Sequence, residues 1–301
     1  MSCRTRFLLP ASLAIALSGS LGLPVLPATA SAQQLDIMGQ LEAIVQRSAA
    51  ELAVQINLSG RQRMLTQKMS KEAFLVALDI EPEKNRENLK TTMALFERTL
   101  KGLMNGDREQ QLAPPPNRKI RAQLEKVMVR WLQFRPLVDK VANGATDRPT
   151  LERIARTNLP LLKEMDRAVK LYEKAAGTDT AESALVINLA GRQRMLTQKM
   201  TKEYLLVALE IDARENRKNL AGTMALFDAT LKGLLDGNDR LPPAKDPAIR
   251  AQLKKVMALW NAFAPLLKRP VTRENLQAIA RANLPLLKEM DRAVKMFEER
   301  W

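Results

Sequence analysis

The sequence predicts an all-α protein of two tandem antiparallel four-helix bundles, and three observations predict it. A 25-residue string that starts at Ile56 returns at Ile187 with 20 positions identical, an offset of 131 residues. A second pair, NLPLLKEMDRAVKLYE from Asn158 and NLPLLKEMDRAVKMFE from Asn283, shows that the whole unit is duplicated. Between these marks the apolar residues recur at helical spacing, β-branched residues are sparse, and no hairpin dipeptide sits between alternating apolar runs. A repeat this long is a domain, since solenoid units have periods of about 20–50 residues.

In chain order, Arg4 and Arg6 precede an apolar run from Phe7 to Leu26, and Ala30-Ser31-Ala32 then offers a small-residue cleavage site. Residues 1–32 therefore read as a secretory signal peptide, which places the rest in the periplasm. An uncleaved anchor is the alternative, because the run is near the minimum length that spans a bilayer.

The first bundle, residues 33–176, parses into four helical stretches: Leu35 to Asp79, Glu83 to Met104 after a Glu-Pro break, Asn117 to Ala142 after three prolines, and Asp147 to Ala176. The second, residues 177–301, repeats them as Thr180 to Ile211, Arg214 to Asp236, Pro247 to Lys268 and Thr272 to Trp301. Short connections between amphipathic helices favour antiparallel neighbours. Pro160 and Pro285 are expected to kink or divide the fourth helix, since proline removes a helical hydrogen bond. The boundary falls at Ala175 to Asp179, where Gly177 can end one helix and Thr178 or Asp179 can start the next; a continuous helix is the competing arrangement.

Composition narrows the chemistry. The chain has no histidine, and its one cysteine, Cys3, lies in the expected leader. Disulfides, thiolate or imidazole metal sites, haem ligation and histidine-based catalysis are therefore not expected. No motif positions a carboxylate pair or a lysine for catalysis, so no catalytic residue, metal or cofactor is assigned. Beyond the leader, 46 basic residues stand against 33 acidic ones. That balance favours anionic partners, although Lys and Arg alternate with Glu along most segments and much of the charge reads as solvated helix surface. Export, and an aromatic content of 4%, argue against nucleic acid.

The repeated string carries the functional expectation. At about 100° per residue, Leu58, Leu65, Met69 and Val76 fall on one side of its helix, as natural core contacts. On the other lie Ile56, Gly60, Arg63, Gln67 and Phe74, repeated as Ile187, Gly191, Arg194, Gln198 and Leu205. A glycine inside a helix costs about 0.5–1 kcal/mol relative to alanine. Two readings justify it: close approach of another backbone, with the arginine paired to a carboxylate of a neighbouring helix, or room for a ligand that the guanidinium fork holds. Arg61, Lys68 and Glu72, with their twins Arg192, Lys199 and Glu203, read as exposed flank with an i,i+4 pair. The methionines, among them Met64, Met69, Met195 and Met200, read as core filler.

The string Asn57-Leu58-Ser59-Gly60-Arg61-Gln62-Arg63-Met64-Leu65 followed by Gln67, and its twin from Asn188, resembles the PilJ-type sensor domain of type IV pili methyl-accepting chemotaxis transducers. It is also similar to the periplasmic P-box of nitrate/nitrite sensors of the NarX and NarQ kind. The resemblance implies a periplasmic four-helix bundle. It also implies a small oxyanion, nitrate or nitrite, held by an arginine three residues after the glycine, which falls on Arg63 and Arg194. The ligand site expected on this motif comprises Asn57, Gly60, Arg63 and Gln67 with Asn188, Gly191, Arg194 and Gln198. In the nitrate sensors the P-box helices of two subunits meet about a two-fold axis. The doubling here departs from the pattern and suggests an internal pseudo-dimer in which Arg63 and Arg194 face one anion, with a homodimer as the other arrangement. The implied partner is a membrane sensor or chemotaxis transducer with a similar bundle. The alternative is a structural or adaptor protein of the envelope whose basic surface binds a protein or anionic polymer and no small ligand.

Overall fold

The computed structural model describes residues 28–177, 180–239 and 241–300. The expected leader lies outside them except for residues 28–32, which open the first helix. Among the described residues, those up to Val45 fall in one compact unit and those from Gln46 onward in another, and the second holds both copies of the repeated string.

The described residues form eight α-helices: α1 (Ala28–Ala77), α2 (Pro82–Asn105), α3 (Arg118–Ala142), α4 (Arg148–Ala175), α5 (Ala181–Ala208), α6 (Ala213–Asp236), α7 (Pro247–Phe263) and α8 (Arg273–Glu298). Strands are absent among them, apart from the isolated bridges Asp107 to Leu112 and Asn238 to Leu241. None of these helices is long and apolar enough to cross a membrane. The starts follow from local chemistry: the side chains of Asn117, Asp147, Asp246 and Thr272 accept from backbone N–H groups of the first turns of α3, α4, α7 and α8. Gly106 and Gly237, at φ 84° and 83°, turn the chain out of α2 and α6. α4 and α5 are separate helices, with Ala176 and Thr180 at their facing ends. Pro160 and Pro285 divide neither α4 nor α8, each of which runs through its proline. The break occurs instead at Pro265, where α7 gives way to a 3₁₀ turn at Leu266–Lys268.

Hydrogen bonds give the directions. Gln62 and Lys68 of α1 donate to Phe96 and Thr92 of α2, and Asn158 and Asp166 of α4 bond Thr66 and Arg63. Ascending numbers on α1 thus meet descending numbers on both partners, the antiparallel order of a bundle. The second copy repeats this with Gln193 to Phe227, Lys199 to Thr223, and Asn283 and Asp291 of α8 against Thr197 and Arg194. Between the copies, Arg63 reaches Asn188, whereas Lys71 meets Asn283 at the level of Thr197 and Thr201. α1 and α5 therefore run side by side in the same direction.

This arrangement buries α1 from both sides. The expected core positions Leu65, Met69 and Val76 are buried, and so are Ile56, Arg63, Gln67 and Phe74 on the opposite face, where Arg63 reaches Asn188 of α5. The flank is not solvated surface as expected. Glu72 and Glu203 are 2% and 3% exposed on their side chains and Lys68 and Lys199 about a fifth, because α2 and α6 close over them with Thr92 and Thr223. The i,i+4 pairs Lys68 to Glu72 and Lys199 to Glu203 do form.

Candidate functional site between the two copies

At the seam of α1 and α5 nearly every contact has a twin; the exception is the Asn57 Oδ1 bond, since Asn188 Oδ1 is buried without a partner. Arg63 Nη1 donates to Asp166 Oδ1 at 2.8 Å, and Arg194 Nη1 to Asp291 Oδ1 at 2.6 Å, each within its own copy. Each Nη2 crosses to the other copy: Arg63 to the Asn188 carbonyl and Arg194 to the Asn57 carbonyl, both at 3.1 Å. Arg194 Nη2 also donates to Asn57 Oδ1 at 2.7 Å. The Asn57 amide donates across to Glu298 at 2.5 Å, and the Asn188 amide to Glu173. Arg61 approaches Asp291 at 3.5 Å and Arg192 approaches Asp166 at 3.8 Å, again each crossing the seam. The repeat thus builds an internal pseudo-two-fold axis.

The glycines lie on that axis. A Cβ placed on Gly60 would stand 3.5 Å from Nη2 of Arg63 and 3.6 Å from Nη2 of Arg194; on Gly191 the distances are 3.4 Å and 3.7 Å, in reverse order of residue. Both guanidinium tips therefore sit over the same pair of glycines. These separations are ordinary van der Waals contacts, so packing would admit alanine at either position.

Electrostatically the seam is expensive. Both arginine side chains are fully buried. Burial lowers Arg63 to about 10, against the raising effect of Asp166, with Arg192 and Arg194 adding to the drop. Arg194 is lowered from the same leading cause, against the charge of Asp291. Burial pushes Asp166 and Asp291 up, but the arginines they hold outweigh it and keep both below the usual carboxylate range. Glu298 is raised, because burial there exceeds the help of Asn57 and the arginines. Each Nε is buried without a partner. Donors at an arginine fork that are buried and unspent are what a planar oxyanion can use.

Six of the eight residues expected on the motif meet here: Asn57, Gly60, Arg63, Asn188, Gly191 and Arg194. Gln67 and Gln198 do not. Gln67 donates to Thr66 Oγ1 and Gln198 to Asn283 Oδ1, one turn further along. The pairing carboxylates Asp166 and Asp291, and the seam partners Glu173 and Glu298, escaped the sequence reading of the site. Their signal was present, since all four lie in the second duplicated string.

A second polar layer was also missed. Lys71 Nζ donates to Asn283 Oδ1 and Lys202 Nζ to Asn158 Oδ1, both at 3.1 Å across the seam. Neither lysine forms an ion pair within the described residues. Burial holds each at about 8, with the neighbouring Glu72 or Glu203 opposing the drop.

The family profile described as the N-terminal domain of type IV pili methyl-accepting chemotaxis transducers, PilJ, matches residues 44–157 and again 178–285. The chain belongs to the PilJ family. Each PilJ match takes in one copy of the motif helix and stops before the paired aspartate, so Asp166 and Asp291 both lie outside the matched segments. The chain is also similar to the methyl-accepting chemotaxis protein McpN of Pseudomonas aeruginosa, 33% identical over 121 residues, which are 40% of this chain and 22% of that protein. The likeness thus spans about a fifth of the relative's length.

Proposed function

We propose that this tandem PilJ chain is an exported, sensor-type binding protein that holds one small planar oxyanion, nitrate or nitrite, between Arg63 and Arg194. It then acts with a membrane signalling partner such as a chemotaxis transducer. Its two domains, residues 33–176 and 177–301, take the parts that two subunits would otherwise take, and its place is the periplasm. A relative named as a methyl-accepting chemotaxis protein supports the signalling role.

The observation that carries the reading is the convergence of two fully buried guanidinium groups over Gly60 and Gly191. Two like charges in a desolvated seam raise each other's cost, and an anion between them would relieve it. Glycine at both positions brings the two guanidinium tips against the helix backbone, although alanine would pack there and favour the helix. Because both arginines face one axis, the stoichiometry is one anion per chain.

The test is thermal unfolding of the purified protein in chloride buffer against nitrate, nitrite, sulfate and acetate at matched ionic strength, with calorimetry for stoichiometry. A bound anion at a hundred times its Kd stabilises by about 2.7 kcal/mol. A rise for one planar oxyanion, lost in both Arg63→Ala and Arg194→Ala, supports the reading. Equal curves for all four salts would make the arginines structural and turn attention to a protein partner. Two anions per chain, or Arg194→Ala with unchanged affinity, would sink the shared site.

A further inference from the structure

Two grooves related by the internal repeat flank the seam, and they differ. One, walled by α4 of the first copy and α5 and α6 of the second, has a volume of about 740 Å³; its counterpart, walled by α8, α1 and α2, has about 290 Å³. Lys163, Arg167 and Lys170 of α4, Arg192 and Lys199 of α5 and Lys218 of α6 line the larger groove. Arg167 is held by Glu164, Lys199 by Glu203, and Lys170 and Arg192 share Asp166. Six cations thus face three carboxylates, and Lys163 and Lys218 make no ion pair among the described residues.

The asymmetry comes from a few positions. Where α6 carries Lys218, Ala221 and Gly222, the same turn of α2 carries Glu87, Lys90 and Thr91. Glu87 pairs with Lys90, and neither lines the smaller groove, so that groove has no cation in the place of Lys218. Gly222 is the more telling change. A Cβ there would meet no heavy atom within 4 Å, so neither close packing nor a turn requires glycine in the middle of this exposed helix. Its cost of about 0.5–1 kcal/mol relative to alanine has no compensation within the fold. Its effect is to widen a groove that Lys218 makes more positive. The wall also carries apolar surface, with Leu226 45% exposed beside Met195 and Leu162.

We propose that this α4–α5–α6 groove binds a small organic polyanion, with two or three carboxylate or phosphate groups around an apolar body. The step from Lys163 to Lys170 spans about 10 Å of helix, which sets the separation of the anionic groups. Attraction by exposed cations is screened by salt over about 8 Å at physiological strength, so affinity falls as chloride rises. The groove uses neither Arg63 nor Arg194 for its ligand.

The experiment is calorimetry and amide NMR titration of the full chain with citrate, benzene-1,3,5-tricarboxylate and pyrophosphate, against sodium chloride at matched ionic strength. Saturable binding of at least one probe at one site per chain is expected, with shifts confined to α4, α5 and α6. Lys218→Glu with Gly222→Thr, which restores the first copy's residues on an exposed helix, should weaken it at least tenfold without lowering Tm. The reciprocal Glu87→Lys with Thr91→Gly should add a second site. Arg194→Ala, which removes a seam arginine whose partner Asp291 lies outside this groove, should keep polyanion binding and so separates this site from the oxyanion seam. Failure of all three probes, or unchanged affinity in the Lys218→Glu, Gly222→Thr protein, would overturn the proposal.

Discussion

Replacing Lys71 by methionine should stabilise the protein, although it removes a hydrogen bond. Burial lowers Lys71 from 10.5 to about 8, which corresponds to about 3 kcal/mol of cost for keeping the ammonium in the fold at pH 7. The sign follows from linkage: the unfolded chain binds the proton more tightly. The cost is therefore complete below pH 8 and fades as pH rises toward 10.5, leaving about 1 kcal/mol at pH 9.5. Methionine keeps the unbranched shape without the charge. The lost bond to Asn283 Oδ1 is worth about 1 kcal/mol net, and that oxygen keeps the Gln198 amide at 2.8 Å. Lys71→Met should thus gain about 2 kcal/mol at pH 7. The twin behaves differently. Asn158 Oδ1 accepts from Lys202 and from no Gln67 amide, which turns to Thr66 instead. Lys202→Met leaves a buried acceptor orphaned at about 1–3 kcal/mol, so its gain shrinks to about 0–2 kcal/mol. Urea unfolding followed by circular dichroism at pH 7 and 9.5 reads both. Destabilisation of Lys71→Met by more than about 1 kcal/mol at pH 7, or the same gain at both pH values, would refute the argument and point to a partner that keeps the ammonium charged.

Three further outcomes are expected. Gly60→Ala with Gly191→Ala should raise the unfolding midpoint in chloride, because each Cβ fits at 3.4 Å or more and each helix gains about 0.5–1 kcal/mol. The same double variant should blunt any nitrate-dependent rise in scanning fluorimetry; a lower midpoint in chloride would show that the backbones need glycine for contact. Asp166→Asn should cost about 3 kcal/mol by leaving buried Arg63 without its carboxylate. Because Asp166 and Asp291 lie below 3.8 in the fold, their contribution is complete above the unfolded value and lost as pH falls through the folded one. The acid limb of a stability–pH curve should therefore flatten in Asp166→Asn. Arg63→Lys should lose the oxyanion response as fully as alanine, since a point ammonium cannot serve both Asp166 and the Asn188 carbonyl; calorimetry with nitrate decides it.

Much of this was legible from the repeat and its periodicity. Most helix ends fall within a few residues of those expected, because prolines, glycines and Asn, Asp or Thr caps mark them locally; α1 starts seven residues earlier, at Ala28, and α7 stops five residues sooner, at Phe263. What was not legible is what lies across the seam. Lys68 and Glu72 were spaced as an exposed pair, and spacing does not say that α2 will close over them. Gln67 shares a face with Arg63, yet its side chain bonds within its own helix. Lys71 drew no notice because a lysine on a basic helix is normally solvated; only a second copy packed against α1 makes it a buried cation.

Duplication in one chain also changes what the seam can become. In a homodimer a substitution appears on both sides of the axis at once, so a groove cannot be widened on one side alone. Here the axis is only approximate. The residues that hold the arginines are the same in both halves, down to Asn57 with Asn188, Asp166 with Asp291 and Glu173 with Glu298. The flanking helices are not: Glu87 and Thr91 on α2 answer to Lys218 and Gly222 on α6. A site that needs both halves alike keeps its residues paired, whereas a site formed beside one half can differ. The seam and the larger groove meet at Asp166, which holds Arg63 on one side and Arg192 and Lys170 on the other. An anion that draws Lys170 or Arg192 away would leave Asp166 more fully to Arg63. If the two sites are linked, that carboxylate is where the coupling passes, and Asp166→Asn should remove it while Asp291→Asn should not.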